Sequence, residues 1–310
     1  MKLSHLLIFA FISISYFSAF NCFGQEKPNH IYADLSDKKA RTGKEVFDRL
    51  NRYFKPLNCD DKSAHIWLKT YSNPKDFSAH VVRVLPMLDY VSREFERSKL
   101  PSEYALVPFI ESRYNPSAKS KSGPGGLWQM ISSTAIQLGI KVKAQYDGRY
   151  SPIDSTRGAI KYFTELGKNF TGWHTILMAY NAGGSRLRYA MKKQGLKTAD
   201  IQNKLPTGLD NHTYAYVRKI QAIACLIAEP ARYNITLPDS IEFTPLSIFE
   251  LGKEFTTLKD VGHKLNIPDH VLIELNPSYR YLKQSNSVPG HILVPENYLE
   301  TYQGLSDASN

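Results

Sequence analysis

The sequence predicts a mainly α protein that ends in a small α+β module. Three observations carry that reading. Apolar residues recur at helical spacing over much of residues 44–229, most clearly at Val81, Val82, Leu85, Leu88, Val91 and Phe95. Long alternating strands are absent from that span. From about residue 231 the texture changes: Pro238, Pro245, Pro268, Pro277, Pro289 and Pro295 punctuate short apolar pieces, and Ile292-Leu293-Val294 reads as a strand.

The chain has 310 residues, 42% of them hydrophobic, enough for one large domain with an appendage and too many for disorder. At its start Lys2 precedes an apolar run from Leu6 to Phe20. The run has the length of a signal-peptide core and is too short and too rich in serine for a membrane span. Cys22-Phe23-Gly24 then offers small residues for cleavage, so residues 1–24 are expected to leave as a signal peptide. The alternative is acylation of Cys22, which would tie the mature chain to a membrane as an outer-membrane lipoprotein. Either route exports the protein to the periplasm or cell envelope and argues against a nucleic-acid partner. The net charge of +10 then points to an anionic surface or wall polymer.

Residues 25–74 form an N-terminal extension, polar at first, with a helix from Lys44 to Phe54 and an apolar patch from Ile66 to Tyr71. A helix over Ala79–Arg97 follows, with a kink or break expected at Pro86. Pro101 suits a first helical turn. The apolar stretch Tyr104–Ile110 runs into Glu111, and Pro108 inside it predicts a kink just before the carboxylate. Ser117–Gly126 is a loop of Ser, Lys and Gly, and Leu127–Leu138 reads as a helix stopped by Gly139. Further helices are expected over Ser155–Leu166, over Thr175–Tyr180 up to the turn Asn181–Gly184, and over Tyr214–Ile227 before Pro230. The main helical domain is therefore residues 75–230. Leu258–Leu265 and Asp269–Leu275 are two short helices of a module over 245–300, in which a first strand near Phe249–Phe255 is poorly formed; residues 301–310 are a polar tail. Once the leader is gone, Cys59 and Cys225 either pair or stay as two thiols. Nothing else resembles a disulfide scaffold, which favours buried thiols. No Cys/His spacing suits a metal site.

Glu111 is the residue with chemistry in it. A lone carboxyl at the end of an apolar helix tends to be desolvated, and desolvation raises its pKa. Held protonated near neutral pH, it can donate a proton to a leaving oxygen, as glycoside cleavage requires. Taken alone, a helix-end glutamate near Arg113 is more often a solvated surface residue. Its neighbours tip the balance. Glu111-Ser112 is followed by Asn115-Pro116, Ala118 and Ser120; then come Gly126-Leu127-Trp128-Gln129-Met130, Thr134-Ala135 and Gly139. Asp147, Arg149, Pro152, Ser155-Thr156, Ala159 and Tyr162 form a third block, and Ala179-Tyr180-Asn181-Ala182-Gly183 with Thr213 and Tyr216-Val217 a fourth.

Together and in this order, the four blocks resemble the soluble lytic transglycosylase domain, a lysozyme-like α-helical fold, over about residues 75–229. The resemblance implies that Glu111 is the catalytic acid. It implies further that Ser120 contacts the sugar's N-acetyl region, that Gln129 lines the glycan groove, that Tyr180 and Asn181 stand at the cleft, and that Tyr216 lies near the carboxylate. One position departs from the pattern: His212 stands where the family usually has glutamate before Thr213. A protonated His212 beside Glu111 would lower its pKa. Each residue also has a plainer role. Trp128 is more often core than a sugar platform, Gln129 can cap a turn, and Tyr180-Asn181-Ala182-Gly183 can simply end a helix.

Ordinary glycosidases use two carboxyl groups, and nothing sets Asp147 or Asp154 opposite Glu111. One carboxyl suffices if the C6 hydroxyl of N-acetylmuramic acid attacks its own C1. The expected activity is therefore non-hydrolytic cleavage of peptidoglycan glycan strands, with no metal or cofactor. A hydrolytic muramidase and a non-catalytic peptidoglycan-binding protein are the alternatives. The tail resembles a degenerate LysM module through Thr257-Leu258, Val261, Leu265, Leu272, Leu275-Asn276-Pro277, Val288-Pro289-Gly290 and Ile292–Pro295. That resemblance implies a second contact with the wall, against a purely structural cap.

Overall fold

The computed structural model describes residues 41–197, 205–252, 255, 257–279 and 290–299. The expected signal peptide with Cys22, the first part of the extension, part of the segment before Leu205 and the 301–310 tail lie outside the described residues.

The described chain is mainly α, as expected. It opens with a two-residue strand β1 (Arg41–Thr42) and helix α1 (Gly43–Tyr53). The Glu45 carboxylate, three residues on, accepts from the Thr42 backbone N–H at 2.6 Å. The patch at Ile66–Tyr71 is a short helix, α2 (His65–Tyr71). Helix α3 (Pro74–Arg97) starts five residues before the periodicity does, because Asn73 caps it and Pro74 fits its first turn. It runs through Pro86 as one helix, so the break entertained there does not occur. A 3-10 stretch, Ser102–Leu106, leads into the short α4 (Val107–Glu111). Pro108 therefore lies in the first turn of α4 and not inside a longer helix, and the expected kink is a change of helix type.

The prediction of a helix over Leu127–Leu138 is too long. Helix α5 covers only Ser132–Gln137. Before it the chain turns tightly, with Gly126 at φ +76° and Gln129 at φ +46°. A Cβ on Gly126 would come within 1.6 Å of the Arg149 carbonyl oxygen, so only glycine fits. Helices α6 (Pro152–Gly167), α7 (Trp173–Ala182), α8 (Gly184–Lys193) and α9 (Asn211–Ala228) complete the domain, with Gly183 at φ +88° separating α7 from α8.

After α9, strand β2 (Glu242–Phe243) pairs antiparallel with β1 and so joins the described start of the chain to the segment that leads into the module. The module then runs β3 (Leu246–Glu250), α10 (Leu258–Leu265), α11 (Asp269–Leu275) and β4 (His291–Pro295). Its first strand lies earlier than Phe249–Phe255 and is well paired: β3 and β4 are antiparallel from Leu246↔Pro295 to Glu250↔His291.

One continuous core runs through these parts, with Leu50, Leu85, Leu88, Leu127, Trp128, Ile220, Leu246, Leu272 and Leu293 all fully enclosed. Asp89 on α3 is also fully enclosed and is held by Arg49 at 2.8 Å, Arg93 at 2.9 Å and Arg41 at 3.0 Å. Arg93 also donates to the Leu246 carbonyl at 2.6 Å. Cys59 and Cys225 form a disulfide, Cα–Cα 5.7 Å, which corrects the preference for two thiols. It ties the N-terminal extension to α9.

Removing the Asp89 charge leaves three partly buried arginines without their shared counter-ion. Asp89→Ala is expected to cost about 3–5 kcal/mol, the usual penalty for breaking a buried ionic cluster. Denaturant unfolding measures it, and a loss below about 1 kcal/mol would overturn the role given to this cluster.

Candidate active site

Helix α4 is too short to be stable alone. It exists because Val107, Pro108 and Phe109 are buried and because the chain beyond it curls back. Ser112 and Tyr114 both donate backbone N–H groups to the Pro108 carbonyl, at 3.1 and 3.0 Å. Arg113 and Tyr114 take left-handed backbones at φ +54° and +62°. Two such residues in a row are costly for side chains of this size and are held by surrounding contacts. One is the Tyr114 hydroxyl, which donates to the Ala105 carbonyl. Another is the Ser112 hydroxyl, which donates to the Leu127 carbonyl at 2.7 Å and ties α4 to the glycine-rich turn.

Glu111 ends this hook half-buried. Its Oε1 accepts a hydrogen bond from the Tyr216 hydroxyl of α9 at 2.8 Å. Desolvation is the largest influence on the carboxyl and pushes its pKa up to about 7. The Tyr216 hydrogen bond and the Lys219 cation act against that shift without cancelling it. Tyr180 feels the Glu111 charge as well. A carboxylic acid of this strength can give up a proton and take one back near neutral pH.

The other expected residues fall into two groups. Tyr216 and Tyr180 are brought to Glu111. Tyr180 donates to the Trp128 carbonyl at 2.8 Å, and its ring stacks on Phe163 at 4.8 Å, which in turn stacks on Tyr104 at 4.3 Å. Asn181 lies next along α7 and accepts at its Oδ1 from the Thr213 hydroxyl at 2.9 Å, joining α7 to α9. Gln129 and Ser120 are placed on the loop before α5. The Gln129 amide donates to the Gly126 and Ala118 carbonyls at 2.8 and 3.1 Å, so it holds the turn together. Ser120 is half-buried, with its hydroxyl 2.9 Å from that of Ser122. Trp128 is core: it is fully buried, and its indole N–H donates to Thr156 at 3.1 Å.

The acidic residues of the third block are engaged elsewhere. Asp147 binds Arg149 at 2.7 Å, and Arg149 also donates to the Gly123 and Met130 carbonyls at 2.8 and 3.2 Å, clamping the glycine-rich turn. Asp154 accepts from the Tyr146 hydroxyl at 2.7 Å and pairs with His291 at 2.8 Å. His212 lies exposed in the first turn of α9, where its backbone N–H is capped by Asp210 at 2.8 Å. The cation beside Glu111 is Lys219, not His212. Sequence reasoning missed Lys219, although it stands three residues after Tyr216 on one helix and so shares its face. Its ammonium lies 4.5 Å from the centre of the Trp67 ring, which brings the N-terminal extension to the site. Among the described residues no group of three or more His, Cys, Asp or Glu is arranged to hold a metal ion.

Fold and site together define a helical domain that presents one acid of near-neutral strength on a braced hook. Residues 92–203 match the family model of the Transglycosylase SLT domain. The mainly α class expected for it agrees with the helices described above. Membrane-bound lytic murein transglycosylase D of Escherichia coli (strain K12) is 29% identical over 222 residues, 71% of this chain and 48% of that protein. Membrane-bound lytic murein transglycosylase F of Pseudoalteromonas translucida (strain TAC 125) is 30% identical over 128 residues, 37% of this chain and 26% of that protein. The chain spans about half the length of the first of these relatives. The crystal structure of an inactive mutant of lytic transglycosylase Slt from Pseudomonas aeruginosa aligns with a TM-score of 0.37 at 23% identity, over 49% of this chain and 25% of that one, too loosely to carry weight.

Two measurements check the acid. The Tyr216 hydroxyl favours the carboxylate, so Tyr216→Phe is expected to move the Glu111 pKa above about 7, read by carbon NMR titration of labelled glutamate. A downward move would show that the hydroxyl does not hold the ionised form. Because the folded pKa is raised, the stability that protonated Glu111 contributes is fully present below the ordinary carboxylate range and is lost as pH rises through about 7. Glu111→Gln should therefore unfold at a higher temperature than the parent at pH 8 and show no such gain at pH 4. Equal differences at both pH values would place the carboxyl in water.

Proposed function

We propose that this protein cuts the glycan strands of peptidoglycan at the β-1,4 bond between N-acetylmuramic acid and N-acetylglucosamine, without water as the nucleophile. The observation that carries this reading is a half-buried carboxyl whose pKa desolvation raises to about 7 and which accepts a hydrogen bond from the Tyr216 hydroxyl. Protonated Glu111 gives its proton to the glycosidic oxygen as the C1–O bond breaks. The resulting carboxylate takes the proton from the C6 hydroxyl of the same muramic acid, whose oxygen then closes onto C1. The products are a free N-acetylglucosamine end and a 1,6-anhydro-N-acetylmuramic acid end, and Glu111 returns to its starting form. The chemistry requires no metal or cofactor.

Tyr216 orients the carboxyl for both proton transfers. Ser120, Gln129, Tyr180 and Asn181 are the groups proposed to hold the strand. The Gln129 amide nitrogen is used on the loop, so its oxygen is the atom offered to substrate. The murein activity named for the two relatives supports the substrate. The Cys59–Cys225 disulfide supports export to an oxidising compartment, the periplasm or cell envelope, after loss of residues 1–24. Acylation at Cys22 is the proposed route to any membrane association, since no helix among the described residues is long and apolar enough to cross a bilayer. The β3–α10–α11–β4 order agrees with a LysM-like module and supports wall binding.

Digestion of purified peptidoglycan, with the released muropeptides weighed, tests the activity. Products one water lighter than the hydrolytic ones are expected. Glu111→Gln should reduce their yield by about 10²-fold or more. Hydrolytic products would mean that a second group activates water, and full activity in the variant would remove Glu111 from the mechanism.

A further inference from the structure

Two residues without a part in the mechanism meet beside the acid. Lys219 stands one turn after Tyr216 on α9, and Trp67 stands on α2 of the N-terminal extension. Both lie outside the residues that match the family model. Both side chains are half-buried. Among the described residues the Lys219 ammonium forms no ion pair, and its close partner is the Trp67 ring, with Nζ 4.5 Å from the centroid. An ammonium drawn out of water is costly unless something holds it, and the face of an indole is the strongest aromatic partner for a cation.

The ring is held in place by more than its own contacts. Helix α2 packs along α9. Before α2, Cys59 is disulfide-bonded to Cys225 of α9, and the Asn58 carbonyl accepts from the Gln221 side-chain amide at 2.5 Å. The extension is thus fastened to the part of α9 that follows Lys219, and Trp67 has a set place along the helix. The charge on Lys219 reaches Glu111. Desolvation raises the Glu111 pKa to about 7, and the Lys219 cation acts the other way. The influence is mutual: desolvation lowers the Lys219 pKa below its ordinary value, and the Glu111 charge acts to raise it. The other groups at the carboxyl are the Tyr216 hydroxyl of α9 and Tyr180 of α7. Arg113 on the hook acts on Tyr71 of α2 and on His80 of α3.

An acid that works through one carboxyl must pass through its ionised form in the middle of the reaction. The burial that favours the protonated form also keeps water from the ionised one. We propose that Lys219 is a positioning residue: seated on the Trp67 ring, it keeps a positive charge beside the carboxylate that Glu111 becomes once its proton has gone to the leaving oxygen. Trp67 keeps the ammonium from turning to solvent. Through α2 the N-terminal extension then belongs to the site and is not only a support for the helical domain. The part in catalysis rests on the function proposed above; the coupling of ring, cation and carboxyl does not.

The test compares the mature chain with variants at the two positions. Lys219→Met removes the charge and keeps the length of the side chain, so the Glu111 pKa is expected to rise above the parent's, read by carbon NMR titration of labelled glutamate. Lys219→Arg keeps the charge and can rest on the ring, so its value should stay close to the parent's. Trp67→Leu should move the Glu111 pKa in the same direction as Lys219→Met, and should add nothing in the double variant. In peptidoglycan cleavage by Lys219→Met, the alkaline limb of the rate, where Glu111 loses its proton, should move to higher pH, and kcat should fall about threefold or more. An unchanged Glu111 pKa in Lys219→Met, an equal rise in Lys219→Arg, or a Trp67→Leu that keeps the parent's value or adds to the double variant would overturn the proposal. The expected pKa changes in a chain whose parent fails to cut peptidoglycan would support the coupling and overturn the enzymatic reading alone.

Discussion

A carboxylate with no access to water cannot stand in a protein interior unless cations come to it. Asp89 is such a carboxylate, and the cations that reach it come from three places along the chain: Arg41 at its described start, Arg49 on α1 and Arg93 on α3 itself. Arg93 reaches onward to the backbone of β3. The cluster that satisfies one charge on α3 thus draws in the N-terminal extension through Arg41 and Arg49 and touches the C-terminal module through Arg93. The sequence divides these parts into separate segments by composition, yet the β1–β2 pair and the continuous core join them to the helical domain. That docking has a result for the site: α2 brings Trp67 to Lys219.

Two glutamates show why burial alone does not make an acid useful. Glu103 has no exposed surface, and its pKa is also pushed to about 7 by desolvation. One of its oxygens accepts the Lys55 backbone N–H at 2.7 Å, and the residue is sealed among core side chains. Glu111 has the same acid strength but keeps part of its surface, so its proton can reach a substrate. The difference comes from backbone geometry. The left-handed turn at Arg113 and Tyr114 ends α4 abruptly and leaves Glu111 at a rim, whereas Glu103 sits one helical segment earlier, under α1.

Periodicity was a sound guide wherever local packing decides the structure. It located α3, α6, α9, α10 and α11, and the motif order led to Glu111, Tyr180 and Tyr216. It failed where distant partners decide. The span before Ser132 carries helix-compatible residues, but Arg149 draws the Gly123 and Met130 carbonyls toward itself and a left-handed Gln129 breaks the run. Strand β3 is short and follows a proline, so only its pairing with β4 reveals it. Lys219 was legible as a helical neighbour of Tyr216, but its place beside the carboxyl depends on how α9 packs on α4. His212 drew attention through its departure from a pattern, although the fold turns it to solvent.

The disulfide carries a consequence for how the molecule survives cleavage of its backbone. It closes a loop of 166 residues that contains Glu111, the glycine-rich turn, the α7 motif and Tyr216. A protease that severs the backbone once within that loop does not release a fragment, because both pieces stay covalently joined. The acid hook and its tyrosine partner would remain in one molecule, held by the same core. A nicked molecule would run as a single species on a denaturing gel until a reductant is added.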